Sequence, residues 1–141
     1  CGQEGAHFGG SVLDAILSCG GTPPPKAEHS VLKVIRSLSA SDKSIAVTDI
    51  SQGGLAAALA TFLPGARVRL EGPALPALLS ETYGRFLIAY KSESSLEDLD
   101  CRIIGEVTSE GLEIRHPGGI CSLSKDQLEF ALSSFTRSMK G

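Results

Sequence analysis

Several things this sequence lacks already narrow what it can be. No run of apolar residues approaches the roughly 20 that a membrane-crossing helix needs, and no charged start leads into an apolar stretch that would read as a signal peptide. There is no surplus of positive charge. Lys+Arg number 13 against 16 Asp+Glu, a formal charge of −3. A face that binds nucleic acid through phosphates needs the opposite balance, so neither nucleic acid nor membrane is expected as a partner. The four cysteines, Cys1, Cys19, Cys101 and Cys121, form no Cys-x-x-Cys pair, and none has a histidine at zinc-finger spacing. No Ser-His-Asp or Cys-His set and no pair of carboxylates stands at an informative spacing. There is no internal repeat.

What is present fits one α/β domain spanning residues 1–141. The chain is 42% hydrophobic and 21% charged, ordinary for a globular protein of this length. Its cysteine count would permit disulfides. However, Cys19, Cys101 and Cys121 sit among apolar or small residues, which predicts reduced, buried thiols and a cytoplasmic setting. His7, His29 and His116 each stand alone and read as surface or interface residues.

The pattern along the chain alternates helix and strand. Residues 1–10 carry four glycines and read as a loop. Val12, Leu13, Ile16 and Leu17 repeat at helical spacing behind Ser11, a good N-cap, and Cys19-Gly20-Gly21 should end that helix. A Thr-Pro-Pro-Pro connector leads to a second amphipathic helix over about 26–39. Strands are expected at 44–49, 66–70, 85–91, 101–107, 112–116 and 120–123. Helices are expected at 55–63, 73–79, 94–99 and 125–137. Ser124 should cap the last, with Leu128, Ala131, Leu132 and Phe135 on its inner face. The order predicts a mixed parallel and antiparallel sheet flanked by helices.

Three segments hold the residue types that chemistry needs. In Asp49-Ile50-Ser51-Gln52-Gly53-Gly54-Leu55, a strand ends at an aspartate and two glycines turn the chain into a helix. Such a start offers backbone N–H groups and a positive dipole end, suited to phosphate, and Asp49 is suited to Mg²⁺. On local pattern alone the plainer reading leads: Asp49 and Ser51 cap the helix while Gly53 and Gly54 permit close helix–sheet packing. In Ser80-Glu81-Thr82-Tyr83-Gly84-Arg85, Glu81 is suited to a metal or a substrate hydroxyl. Alternatively the segment is a plain turn with a solvated Arg85. Phe8-Gly9-Gly10-Ser11 is either a third polar corner or simply a cap.

In order along the chain, these segments resemble the motifs of one family. Phe8-Gly9-Gly10-Ser11 resembles the Leu-Gly-Gly-Ser element of phosphoribosylformylglycinamidine synthases. Asp49 to Ala56 resembles their Asp-Val-Ser-Asp-Gly-Gly-Leu-Ala element. Leu79 to Phe86 resembles their Phe-Ser-Glu-Ser-x-Gly-Arg-Phe element, and Ile104-Gly105-Glu106-Val107 the Ile-Gly-x-Val strand that follows. Related enzymes such as aminoimidazole ribonucleotide synthetase, selenophosphate synthetase and thiamine-monophosphate kinase usually vary the glycine element.

The resemblance implies an aminoimidazole-ribonucleotide-synthetase-type C-terminal domain, excised from the last part of a multidomain ligase. In that reaction ATP activates the amide oxygen of formylglycinamide ribonucleotide, and ammonia from glutamine displaces phosphate to give the amidine. ATP and Mg²⁺ are the implied cofactors. Implied partners are the remaining domains of the synthase, a glutaminase subunit and a small bridging subunit. Carried over by motif, Gly9, Gly10, Ser11, Ser51, Gly53 and Gly54 would bind nucleotide. Asp49 would bind metal, and Glu81 and Thr82 would face substrate. The implied role for the domain is auxiliary, without turnover of its own. Two other readings stay open: a fragment of another ATP-dependent member of the wider superfamily, or a stand-alone interaction module.

Overall fold

The computed structural model describes residues 5–18, 20–24, 36, 44–62, 64–91 and 101–138. The expected helix over 94–99 lies outside this set, as does that over 26–39 apart from residue 36, and so do Cys1, Cys19 and His29. The chain divides into two compact units, Cys1–Ala58 with Leu75–Ile103, and Leu59–Ala74 with Ile104–Gly141.

In the first unit, α1 (Val12–Leu17) starts at Ser11, whose hydroxyl accepts from the Asp14 N–H at 3.1 Å. It stops at Ser18, which takes up a left-handed conformation. Strand β1 (Ser44–Asp49) pairs antiparallel with β3 (Phe86–Tyr90), Asp49 opposite Phe86. The Ile50 N–H donates to the Arg85 carbonyl at 2.8 Å and carries the ladder one step further. Along β3 only Leu87 and Ala89 are fully buried, the alternation of a strand with one inward face. Among the described residues of this unit, Ile50, Leu55, Ala58, Ala77, Leu87 and Ala89 are the buried apolar ones.

Helix α2 (Gly54–Phe62) is an Ala- and Leu-rich run of high helix propensity. Its start requires glycine. Gly54 has φ +66°, and a Cβ there would run into the Leu78 carbonyl oxygen. The close approach is therefore to the end of α3 (Ala74–Leu79). That end is held by Arg85, which is buried and not solvated. Its guanidinium donates to the carbonyls of Ser80 at 3.1 Å and Ala77 at 3.4 Å. A cation suits this position because the last carbonyls of a helix lack internal donors and carry the negative dipole end.

The second unit is a four-stranded sheet in the order β4-β2-β5-β6. Here β2 is Ala66–Arg69, β4 Gly105–Val107, β5 Gly111–His116 and β6 Gly119–Ser124. The β2–β5 pair is parallel, the other two antiparallel. The expected mixed sheet is therefore here, while β1 and β3 form a separate two-stranded sheet. Residues 101–104, expected in a strand, precede β4 as irregular chain. Ala66, Val68, Leu112 and Ile114 face inward and are buried. The other face carries Arg67 against Glu106 at 2.7 Å and Arg115 against Glu113 at 2.8 Å.

Edge position explains the exposure of β6. Every residue of β6 is exposed, Cys121 among them, so its thiol is free but not buried. Cys101, in the first unit, is disulfide-bonded, contrary to the reduced thiol expected. Helix α4 (Lys125–Ser138) buries Leu128, whereas Ala131 and Leu132 are exposed. Its start is a reciprocal capping box. Gln127 N–H donates to the Ser124 hydroxyl at 3.2 Å, and Gln127 Oε1 accepts from the Ser124 N–H at 2.8 Å.

Two stability measurements check these assignments. Replacing Ser124 by Ala should cost about 1 kcal/mol in denaturant unfolding, because one half of the box is lost. Arg85→Met should cost more, about 3 kcal/mol, because it leaves carbonyls without their charged donor in a buried place. Equal effects of the two changes would contradict the burial of Arg85.

Candidate functional site

The three motif segments lie in the first unit and meet at the Glu81 carboxylate. Its Oε1 accepts from the Val12 N–H at 3.0 Å and from the Gly53 N–H at 2.8 Å. Val12 follows Ser11 at the start of α1, and Gly53 precedes α2. Residues separated from Glu81 by 69 and 28 positions are thus joined through one oxygen atom. A carboxylate suits this place because the first N–H groups of a helix have no partner within it.

The turn that presents Glu81 is fixed on both sides. Ser80 is fully enclosed, and its hydroxyl lies 2.8 Å from that of Thr82. Thr82 is also buried, and its Oγ1 lies 3.0 Å from His7 Nδ1. Gly84 has φ +77°, which lets the chain turn back from exposed Tyr83 into β3. So Thr82, expected to face substrate, spends its hydroxyl inside the unit. His7, expected at the surface or an interface, is half-buried against it. The pairing of His7 with Thr82 spans 75 positions, and no local pattern announces it.

The glycine corners are bonded in the same internal manner. At the first, Gly9 N–H donates to the Thr22 carbonyl at 3.2 Å and Gly10 N–H to Asp14 Oδ2 at 3.1 Å. Asp14 Oδ1 accepts from Gly20 N–H at 2.7 Å. One aspartate therefore ties the loop before α1 to the loop after it. Sequence reasoning passed over Asp14, although a signal was visible. Ser11-Val12-Leu13-Asp14 has the spacing of a capping box, with an acid three residues after the cap. At the second corner, Gly54 N–H donates to the Ser51 carbonyl at 2.9 Å.

Ser11 is buried as the cap of α1, whereas Ser51 and Asp49 are exposed. Asp49 closes β1 and lies at the same corner as Gly53. Among the described residues, no three His, Cys, Asp or Glu side chains come together as a metal-binding group. His116 makes a local turn contact, its Nδ1 accepting from Gly118 N–H at 3.0 Å. The arrangement brings together Val12, Gly53, Glu81, Thr82 and His7. It leaves Asp49 and Ser51 on the rim.

Comparison with known proteins agrees with this arrangement of motifs. Residues 4–116 match the family described as AIR synthase related protein, C-terminal domain. The chain is also similar to proteins named phosphoribosylformylglycinamidine synthase subunit PurL. The one from Methanosarcina barkeri is 33% identical over 152 aligned residues, covering 98% of this chain and 21% of the relative. The one from Limosilactobacillus fermentum is 32% identical, covering 91% and 19%. The one from Halobacterium salinarum is 34% identical, covering 78% and 16%. The chain thus spans about one fifth of the length of the first two relatives. With the family match covering most of its length, the chain belongs to the AIR synthase related protein C-terminal domain family.

Proposed function

We propose that this chain serves as the C-terminal-type domain of a phosphoribosylformylglycinamidine synthase. In that role it is part of an ATP-dependent ligase that converts formylglycinamide ribonucleotide to the amidine with glutamine-derived ammonia. The observation that carries this reading is the meeting of three family-like motifs at Glu81, in a chain whose relatives bear that enzyme's name. The domain's part is auxiliary. It presents a fixed surface to the rest of the synthase and turns over nothing alone.

ATP and Mg²⁺ belong to the assembled enzyme on this reading. The N–H groups of Gly9, Gly10, Gly53 and Gly54 are already bonded within the chain. Asp49, Ser51 and Gln52 are exposed at the glycine corner, and Asp49 and Ser51 are the groups we assign to a metal or nucleotide held between domains. The partners are the remaining synthase domains, a glutaminase subunit and a small bridging subunit. The cytoplasmic setting rests on that role alone, since the Cys101 disulfide removes the argument from reduced thiols. No described helix is long and apolar enough to cross a membrane.

A domain exchange tests the reading. The matching fifth of the Methanosarcina barkeri PurL protein is replaced by this chain, and the chimera is expressed in a purine auxotroph lacking that subunit. Growth without added purine is expected. A chimera that accumulates as soluble protein and does not restore growth would overturn the assignment. The isolated 141 residues should show no amidation of formylglycinamide ribonucleotide, and measurable turnover would contradict the auxiliary role.

A further inference from the structure

A phosphate-binding corner and a self-bonded corner use the same backbone groups, so the structure can distinguish them by what the N–H groups meet. We propose that Glu81 is the resident anion of the two glycine corners. It fastens them to each other and keeps them closed to external phosphate.

Three observations carry the proposal. First, two N–H groups from distant parts of the chain converge on one oxygen, Glu81 Oε1, at 3.0 and 2.8 Å. A carboxylate with charge-assisted bonds to helix-start N–H groups supplies what a phosphate oxygen would supply there. Second, Glu81 is held in place from both sides. Arg85 grips the carbonyl of Ser80, while the Ser80 and Thr82 hydroxyls and His7 form a hydrogen-bonded chain beneath the turn. The carboxylate is positioned by these groups before any ligand arrives. Third, the neighbouring donors are committed in the same way: Gly10 to Asp14, Gly9 to the Thr22 carbonyl, Gly54 to the Ser51 carbonyl. A phosphate entering here would have to displace a carboxylate and face its charge at contact distance.

Glu81 is then a positioning residue and does not touch substrate. The proposal stands on this geometry whether or not the chain works within a purine synthase. It places the phosphates of any nucleotide used by the parent enzyme away from the Gly53 N–H.

Backbone amide exchange and phosphate titration of the ¹⁵N-labelled chain provide the test. Inorganic phosphate at tens of millimolar, against sodium chloride of equal ionic strength, should leave the Val12 and Gly53 amide signals unmoved in the wild type. Glu81→Ala should speed hydrogen exchange at these two amides by at least about tenfold, equivalent to roughly 1.4 kcal/mol of lost protection, and leave Gln127 at the start of α4 unchanged. Glu81→Gln keeps a carbonyl oxygen at the same reach and should restore most of the protection. If Glu81→Ala does not fold, Glu81→Asp carries the same comparison, because its shorter arm cannot satisfy both amides. A saturable phosphate shift at Val12 and Gly53 in the wild type would overturn the proposal. Unchanged exchange at both amides in the folded Ala or Asp variant would do so equally.

Discussion

The first unit depends on one carboxylate meeting two backbone N–H groups. Helix starts at α1 and α2 each leave donors that the helix itself cannot satisfy, and the part-buried Gly53 donor would be costly to leave without a partner. Glu81 answers one donor at each corner with one oxygen. The surrounding residues make sense as supports for that oxygen. Arg85 fixes the turn through the Ser80 carbonyl and ties it to α3. Gly54, lacking a Cβ, lets α2 begin against the Leu78 carbonyl. The Ile50 to Arg85 bond brings the end of β1 to the start of β3, so the Gly53 corner is within reach of the turn that carries Glu81.

Much of the element pattern was legible in the sequence. The Ala- and Leu-rich run of α2, the alternation in β2 and the caps at Ser11 and Ser124 all act through neighbours a few residues apart, so local reasoning finds them. The inner face of α4 was less legible. Leu128 is buried as its spacing implied, but Ala131 and Leu132 are exposed because helical periodicity does not say how far a partner surface extends. The cysteines followed the same logic. Apolar neighbours suggested a buried Cys121, yet β6 is an edge strand whose six residues are all exposed.

The candidate site was legible as a set of segments and illegible as a set of bonds. The glycine corners and the Ser80–Arg85 turn were identifiable, as was the family they resemble. What sequence could not give was which group satisfies which donor. Arg85 read as a solvated end of a turn and is buried against helix carbonyls. His7 read as a lone surface or interface residue, and it bonds to Thr82, 75 positions away. These are pairings between distant segments, set by the fold and not by spacing. Membership of the AIR synthase related C-terminal domain family explains why the motifs occur together, and the hydrogen bonds explain what they do in this chain.

The central claim is that one carboxylate holds two glycine corners. Scalar coupling across hydrogen bonds measures it most directly, in the ¹⁵N,¹³C-labelled chain. The account predicts that the Val12 and Gly53 amide nitrogens both couple to a single side-chain carbon, that of the Glu81 carboxylate. Coupling of either nitrogen to a different carbon, or to none in a spectrum where the helix couplings of α2 are seen, would contradict it.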